Sequence, residues 1–318
     1  MNIKRNQPVG VVSWLSTLKG TGYIASFYEP ETVHELERLC SDFFSKGLSY
    51  DLIGHTSNTL YTPDYVCERM VSTRKLNHFE IKDDCIVCEC GTSVRALSLA
   101  AIDAGIKGFE GLIDLPGTMA AAIYGNAGCY DCYVSNLLKE ATVLYPDGTK
   151  NTVAPEWFGF SRRSSVLKRG EKKAVVLTLV LRRDNGEAIV LKEVAERNHA
   201  NRRTSQPEAK NSLGSIFANS GNPTLLNRLL FLVSKPYTFL LKLIGNSEQQ
   251  MKEKRKKFIF ALLGACDVEP YVRTWNWFQW RDEQAHTLFW KYVKLHRRMF
   301  TSSDFEIEIK HNNGFRMP

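Results

Sequence analysis

The stretch that most constrains the fold of this chain runs from residue 111 to residue 128 and reads GLIDLPGTMAAAIYGNAG. So many glycines and alanines leave little side-chain surface for packing, but they let a backbone come close to another group. Pro116 and Gly117 predict a turn, and Asn126 offers a side-chain amide. Taken alone, the stretch is typical of a tight turn beside a packed helix. A flat ring system held against the backbone is the alternative.

A second loop of this kind lies earlier in the chain. After a predicted strand at residues 50–54, the sequence reads GHTSN from Gly54 to Asn58. Backbone N–H groups in such a loop, together with the Ser57 and Asn58 side chains, can turn towards a pyrophosphate. Serine and asparagine also form ordinary turns, so this loop alone is a weak indication. The two segments in this order, with a basic motif after them, are more specific.

Hydrophobic periodicity predicts alternating helices and strands along most of the chain. Helices are expected from about residue 30 to Gly47 and from about Arg95 to Gly105. Strands are expected at 50–54, 85–91, 141–145 and 174–183. This alternation, followed by a separate mixed segment, indicates an α+β fold rather than a doubly wound parallel sheet.

An apolar segment at residues 224–244, TLLNRLLFLVSKPYTFLLKLI, stands out in the last third of the chain. A membrane-spanning helix needs about 20 mostly apolar residues with few charges. Arg228, Lys235 and Lys242 interrupt the segment, and Pro236 lies in its middle. The pattern predicts two buried helices broken at Pro236. A peripheral membrane contact by a basic amphipathic surface is the alternative.

Length, charge and cysteine content limit the domain number and the cellular compartment, but they leave several classes of binding partner open. The chain has 318 residues, which predicts two domains, and a formal net charge of +8. A basic balance is compatible with nucleic acid, a membrane surface, an anionic small molecule or an ordinary solvated surface. The first twenty residues contain no continuous apolar run, so we expect no signal peptide. Eight cysteines are then expected to be reduced thiols in a cytoplasmic protein.

Four segments, taken in order, resemble a known enzyme family. They read GHTSN (54–58), GFEGLIDLPGTMAAAIYGNAG (108–128), RRSSVLK (162–168) and RRTSQPEAKNSLGSIFAN (202–219). This order resembles the UDP-N-acetylenolpyruvoylglucosamine reductases, also called UDP-N-acetylmuramate dehydrogenases. Their pattern is G-x-G-S-N, G-L-E-x-x-x-G-I-P-G-T-x-G-G-A-x-x-x-N-A-G, Y-R-x-S-x-F-K and G-S-x-F-K-N-P. The match extends from about residue 50 to 219, and the last hundred residues fit only loosely.

The resemblance implies a fold and a reaction. The fold would be a two-subdomain FAD-binding domain of the vanillyl-alcohol-oxidase type at 1–200 (subdomains 1–92 and 93–200), then a substrate-binding domain at 201–318. NADPH would reduce FAD, and the flavin would then reduce the enolpyruvyl group of UDP-N-acetylglucosamine enolpyruvate to give UDP-N-acetylmuramate for peptidoglycan synthesis. The partner would be a nucleotide sugar rather than nucleic acid. The exact sugar, the choice of NADPH or NADH, and the oligomeric state stay open.

The resemblance also assigns roles residue by residue. Arg163 would grip the enolpyruvyl carboxylate through its guanidinium, and Ser215 would protonate the enol carbon. Cofactor binding would fall to Gly54, His55, Thr56, Ser57, Asn58, Pro116, Gly117, Thr118, Asn126, Ala127 and Gly128.

The chain departs from the family pattern at several functional positions. The family tyrosine is Arg162, the lysine and proline of F-K-N-P are Ala218 and Ser220, and family glycines are Thr56, Ala120 and Ala121. The family ends in F-G-I-x-L-E-P-E, which contains a catalytic glutamate; in the aligned frame Lys310 stands at its first glutamate and Asn312 at its second. Either Glu306 or Glu308 supplies that carboxylate from a shifted frame, or it is lost. The open alternatives are a flavoprotein acting on another anionic sugar nucleotide and a flavin-binding relative with little activity.

Two further patterns have structural interpretations. Cys85/Cys88 and Cys129/Cys132 have the spacing of zinc ligands, although buried free thiols are the preferred interpretation, with no metal. Tryptophans in RTWNWFQW (273–280) suggest stacking on nucleic acid, but period-two spacing in a strand is typical of a core.

Overall fold

The computed structural model describes residues 2–8, 23–62, 65–205, 212–218, 221–282, 284–301 and 304–311. Ser220 and Asn312, two positions at which the sequence departs from the family pattern, lie outside these residues, as does the polar stretch 206–211. The content is mixed helix and strand, which confirms the α+β prediction. Within the described residues, every helix is too short or too polar to cross a bilayer.

The strands of the described residues are β1 (Asn2–Pro8), β2 (Tyr23–Glu29), β3 (Asp51–Ile53), β4 (Thr59–Tyr61), β5 (Val66–Ser72), β6 (Phe79–Ile81), β7 (Cys85–Glu89), β8 (Gly128–Cys129), β9 (Cys132–Tyr133), β10 (Leu138–Leu144), β11 (Lys150–Val153), β12 (Val175–Arg182), β13 (Val272–Thr274), β14 (Trp277–Phe278) and β15 (Glu308–Lys310). The α-helices are α1 (Val33–Ser45), α2 (Val94–Asp103), α3 (Met119–Tyr124), α4 (Val134–Leu137), α5 (Ala188–Ser205), α6 (Leu225–Leu243), α7 (Glu248–Leu262) and α8 (Ala285–Met299).

The chain divides into two compact units, and the first contains β1–β3, β5–β12 and α1–α5. Its two sheets have the strand orders β1-β2-β5-β3 and β11-β10-β12-β7-β6. In the first sheet β1 is antiparallel to β2, whereas β2, β5 and β3 run parallel. The second sheet is antiparallel throughout. Buried side chains of α2, α3, β7, β10 and β12 form the larger core of this unit.

Two helices of the first unit form where their caps and apolar spacing predict them. In α1, the Thr32 hydroxyl accepts from the Glu35 N–H, and the helix buries Leu36, Leu39, Cys40 and Phe43 on one face. In α2, the Ser93 hydroxyl accepts from the Ala96 N–H. Gly47 and Gly105 follow these helices with positive φ angles, which end each helix as predicted.

The second unit contains α6–α8, the β13–β14 hairpin, and β4, which pairs in parallel with β15. Residues 58–62 therefore belong to this unit, although they follow the GHTS loop directly in sequence. Its core is rich in aromatic side chains from α7, β14 and α8, with Phe217, Phe260, Phe278 and Tyr292 fully buried.

Two sequence predictions for the second unit are wrong. Residues 273–280 form a hairpin with Trp275 and Asn276 in its turn, not one strand, because the Asn276 side chain bonds to the Phe217 backbone. Residues 224–244 form one helix, α6, which continues through Pro236 and exposes most of its apolar side chains. Pro236 has no N–H to donate within the helix. Two carbonyl groups near it accept side-chain donors, Phe231 from Arg255 and Ser234 from Thr238.

The cysteines with zinc-like spacing lie in two different settings. Cys85 and Cys88 are buried in β7, whereas Cys129 and Cys132 are half-buried and pair across the β8–β9 hairpin. All four are free thiols, and no group of metal-binding side chains occurs among the residues that the structure describes. Trp280 is buried in the aromatic core of the second unit, and Trp275 packs against it. Trp277, which the period-two argument placed on the same face as Trp275, is half-buried in β14.

His296 of α8 is fully buried between two aromatic rings. Its imidazole stacks on Phe217 with centroids 3.9 Å apart and on Phe300 at 4.8 Å. Within the described residues, neither ring nitrogen has a hydrogen-bond partner. Burial, with a smaller contribution from Arg297, lowers the pKa of His296 from 6.5 to about 4. The folded protein therefore holds a neutral imidazole well below the pH at which the unfolded chain becomes protonated.

We expect His296 to make the second unit sensitive to acid. Below about pH 6.5 the unfolded chain binds a proton at His296, whereas the folded chain binds it only near pH 4. The stability that the neutral ring contributes to the folded protein is therefore present above pH 6.5 and is lost as the pH falls towards 4. The shift corresponds to about 3 kcal/mol. In urea titrations followed by tryptophan fluorescence, His296→Phe should lose less stability over this range than the wild type. His34→Gln, on the exposed face of α1, is the control, and parallel pH profiles for the wild type and His296→Phe would contradict the assignment.

Candidate functional site

The two glycine-containing segments of the sequence analysis meet in the first unit. A Cβ atom on Gly54 would lie 2.5 Å from Oγ1 of Thr118, and a Cβ atom on Gly117 would lie 3.5 Å from Oγ of Ser57. Gly117 also has a φ of 121°, which favours glycine. The loop after β3 therefore lies directly against the turn before α3, although more than 50 residues separate them in sequence.

The turn at Gly117 and Thr118 is fixed by the start of two helices. Thr118 is buried and caps α3, since its hydroxyl accepts from the Ala121 N–H at 3.4 Å. The Gly117 carbonyl accepts from Val94 at the start of α2, and the Thr92 carbonyl accepts from Met119. Pro116 is exposed. Both sides of the turn are thus held in place by backbone hydrogen bonds to the segment before α2 and to its first residue.

Asp114, four residues before Thr118, links the small-residue segment to helices α2 and α5. Its Oδ2 lies 2.8 Å from Nδ1 of His199 on α5, and its Oδ1 lies 3.9 Å from the Arg95 guanidinium on α2. The family pattern has glycine at this position, so sequence comparison gave no signal for a carboxylate that joins α2 and α5. The pair became visible only when the fold brought His199 beside it.

Thr56 occupies an unusual conformation in the loop after β3. Its φ is 52°, a region in which β-branched residues are rare, and the family pattern has glycine there. The residue is 7% exposed, and its hydroxyl has no hydrogen-bond partner in the described part of the chain. The neighbouring His55 is half-buried, and burial together with the Arg74 charge lowers its pKa and favours the neutral ring. The loop therefore combines backbone strain with an unpaired buried donor.

Asn126 connects the small-residue segment to the basic motif. It has a φ of 43°, and its Nδ2 donates to the Ser161 carbonyl at 2.9 Å, while Oδ1 has no partner among the described residues. The next residue, Ala127, uses its backbone within the fold, since its N–H donates to Ala122 and its carbonyl accepts from Val134. Gly128 begins β8 and is buried. The amide oxygen of Asn126 is therefore the buried acceptor of this segment that stays unpaired.

Arg163 lies in a tight turn attached to Asn126. Ser161 and Ser164 exchange two backbone hydrogen bonds of 3.1 Å, and Arg162 and Arg163 form the turn between them. Arg163 has a φ of 56° and is half-buried, whereas Arg162 is exposed. One residue further, the Ser165 hydroxyl donates to the Tyr124 carbonyl at 2.7 Å and fixes the motif to the end of α3. The structure thus joins the basic motif to the small-residue segment, as the sequence order suggested.

Ser215 lies in the second unit, in a segment held from both sides. Asn276 accepts from the Phe217 N–H through Oδ1 at 2.8 Å and donates to the Phe217 carbonyl through Nδ2 at 2.9 Å. On the other side, the Glu306 N–H donates to the Ile216 carbonyl at 2.8 Å. Ser215 immediately precedes these two residues and is half-buried. Asn276 was not singled out by sequence reasoning, because a single asparagine between tryptophans carries no motif.

The carboxylates proposed as substitutes for the family glutamate lie near this segment. The backbone of Glu306 bonds to Ile216, directly after Ser215, whereas the backbone of Glu308 donates to the Asn58 carbonyl at 2.8 Å. The Asn58 amide in turn donates to the Glu306 carbonyl at 3.0 Å. In this structure the Asn58 side chain therefore bonds to the backbone of Glu306, just before β15, rather than joining the Gly54–Ser57 loop in the first unit.

A double-mutant cycle tests the contact between the two segments. Gly54→Ala should destabilise the protein by about 2 kcal/mol, because its methyl group would overlap the Thr118 hydroxyl. Thr118→Ala should cost about 1 kcal/mol through loss of the helix cap. Since the second change removes the clashing atom, the double variant should lose at least about 1 kcal/mol less than the sum in chemical denaturation. Additive losses would mean that the two segments do not touch.

The geometry agrees with comparisons to known proteins. Residues 24–153 match the family model described as an FAD binding domain. UDP-N-acetylenolpyruvoylglucosamine reductase from Nostoc punctiforme is 32% identical over 174 residues, which cover 54% of this chain and 52% of that protein. The reductase of the same name from Caldicellulosiruptor saccharolyticus is 29% identical over 204 residues, which cover 64% and 65%. The chain thus spans between half and two thirds of these relatives.

The fold comparison covers more of the chain than the sequence comparison does. The crystal structure of UDP-N-acetylenolpyruvylglucosamine reductase from Thermus caldophilus has a TM-score of 0.68 and covers 98% of this chain and 100% of its own. At 19% identity, this likeness shows a shared fold. Together with the sequence relatives and the ordered motifs, it shows that the chain is similar to the UDP-N-acetylenolpyruvoylglucosamine reductases and shares their fold.

Proposed function

We propose that this protein is a cytoplasmic FAD-dependent reductase that uses NADPH to reduce the enolpyruvyl group of a UDP-N-acetylglucosamine derivative. The observation that carries the proposal is the contact of the Gly54–Ser57 loop with Gly117 and Thr118 in the first unit. The reaction is the one for which its relatives are named. The matched FAD binding domain, residues 24–153, contains both the Gly54–Ser57 loop and the turn at Gly117 and Thr118.

The chemistry of the residues present fits a bound dinucleotide. Thr56 Oγ1 and Asn126 Oδ1 are buried polar atoms without partners in the described residues. An unsatisfied buried group costs about 1–3 kcal/mol, so such atoms normally find a partner. A hydroxyl can donate to a phosphate oxygen, and an amide oxygen can accept from a ring N–H. The strained φ of Thr56 also points to a functional loop.

The chain's own residues would bind the substrate and move the proton. Bound FAD, reduced by NADPH, would supply the hydride. Arg163 would hold the substrate carboxylate through paired hydrogen bonds, and its charge would stabilise the negative charge that develops on that side of the enol. The Asn126–Ser161 bond would position this guanidinium by fixing its turn. Ser215 would donate the proton to the enol carbon.

A serine hydroxyl needs a polarising neighbour to act as an acid at neutral pH. Of the two candidate glutamates, we assign this role to Glu306, because its backbone bonds directly to the residue after Ser215. Glu308 lies two residues further along and is joined to Asn58. The assignment replaces the family glutamate by a residue in a shifted frame.

Anaerobic half-reactions test the proposal. NADPH should bleach the FAD-loaded protein, and the enolpyruvyl nucleotide sugar should restore the yellow colour. Ser215→Ala and Glu306→Gln should leave the NADPH step unchanged and slow the sugar step by roughly 100-fold, the usual size of a lost proton donor. Glu308→Gln is the matched control and should behave as the wild type.

Other outcomes separate the alternatives. Equal effects of Glu306→Gln and Glu308→Gln, or none, would contradict the carboxylate assignment. A flavin that NADPH bleaches but the sugar leaves reduced would contradict the substrate. That result would favour another anionic sugar nucleotide, for which the second guanidinium of the turn, Arg162 in place of the family tyrosine, is the structural indication. A flavin that NADPH does not reduce would indicate a flavin-binding relative with little activity.

A further inference from the structure

Helix α6 of the second unit exposes a broad apolar face. Eight large apolar side chains on it and at its end are between 49% and 72% exposed: Leu225, Leu229, Leu232, Val233, Phe239, Leu240, Leu243 and Ile244. At about 100° per residue, they fall within one sector of roughly 140°. Contiguous exposed apolar surface of this kind marks an interaction site in soluble proteins. We call these eight residues the α6 apolar face.

The opposite side of α6 fixes the direction of this face. Asn227, Ser234 and Leu241, seven residues apart, are the buried positions of the helix. The Ser234 hydroxyl accepts from Arg255 Nε on α7 at 2.8 Å. At the start of the helix, the Thr224 hydroxyl donates to the Arg298 carbonyl at 2.8 Å. The usual pattern of apolar inside and polar outside is thus inverted, and α6 is bonded to its own unit in that orientation.

A row of cations borders the α6 apolar face on one edge. Arg228, Lys235 and Lys242 are exposed and seven residues apart, so they form a line along the helix. The sequence of α6, LLNRLLFLVSKPYTFLLKL, contains no aspartate or glutamate. Long basic side chains can lie along an apolar surface and place their charge at its boundary. The helix therefore presents an apolar surface with positive charge on its edge.

This combination selects one occupant among three. Two copies of the chain joined through this face would bring six α6 cations to one interface, with no carboxylate on either helix to pair them. A protein partner would need an apolar groove with an acidic rim on one side. An anionic bilayer offers both features over any area, since acyl chains accept the apolar side chains and headgroup phosphates accept the cations.

We propose that α6 docks the protein onto the surface of an anionic phospholipid bilayer, with the helix parallel to the membrane plane. The apolar face enters the boundary between headgroups and acyl chains, and Arg228, Lys235 and Lys242 remain at the phosphate level. The α7 side of the helix stays bonded to the second unit through Arg255. This docking does not depend on the proposed flavin reaction.

Vesicle sedimentation tests the docking with the full chain. Vesicles of phosphatidylcholine with 30 mol% phosphatidylglycerol should sediment the wild type, and pure phosphatidylcholine should sediment much less. Leu232→Ser with Phe239→Ser should weaken the partition coefficient by roughly tenfold for each residue. Both side chains are more than half exposed, so the variant should keep its thermal stability. Ile189→Ser on α5, where the side chain is 74% exposed, is the matched control and should bind as the wild type.

A charge variant separates the two contributions. Arg228→Gln with Lys235→Gln and Lys242→Gln should lower binding to the anionic vesicles by about fivefold per cation, and leave binding to neutral vesicles unchanged. A control with the same charge change on the first unit uses Lys46→Gln, Lys139→Gln and Lys173→Gln and should retain the preference.

Two results would overturn the proposal. One is wild-type protein that stays in the supernatant with anionic vesicles at low salt. The other is a dimer in sedimentation equilibrium that Leu232→Ser with Phe239→Ser dissociates, without vesicle binding by the wild type, which would assign the face to a second copy.

Discussion

The close approach of Gly54 to Thr118 is the constraint on which the candidate site depends. No side chain larger than hydrogen fits at Gly54 while Thr118 keeps its buried position as the cap of α3. The same turn binds the start of α2 through Gly117 and Val94. Strand β3, helix α2 and helix α3 therefore meet at one point, and the strained Thr56 lies beside it. The reductases that the chain resembles have glycine in their pattern at this position, whereas Thr56 adopts a positive φ of the kind that usually requires glycine.

Local signals predicted the part of the fold that local chemistry determines. Helices α1 and α2 carry capping hydroxyls, apolar spacing and terminal glycines, and they form where expected. Contacts between distant residues decided the rest. The hairpin at Trp275–Asn276 is bonded to Phe217, and α6 is bonded to Arg255 of α7, and neither contact is visible in the segment alone.

The candidate site was predictable to the same degree. The order of the motifs pointed to Gly54, Gly117, Asn126 and the turn at Arg163. In the first unit, Gly54 contacts Thr118, and Asn126 bonds to Ser161 just before that turn. Sequence could not show that Asn58 bonds to Glu306 in the second unit, since a single residue separates it from Thr56. Nor could it reveal the Asp114–His199 pair, because the two residues are 85 positions apart in the sequence.

The flavin site is tested most directly by titrating the apoprotein with FAD while measuring the flavin absorbance and the stability of the protein. We expect one FAD per chain, a shifted flavin spectrum and a rise in melting temperature. Gly54→Ala should weaken this binding, because it displaces the loop from Thr118. A protein that stays colourless and gains no stability at saturating FAD, while remaining folded, would contradict the claim that these two segments form a flavin site.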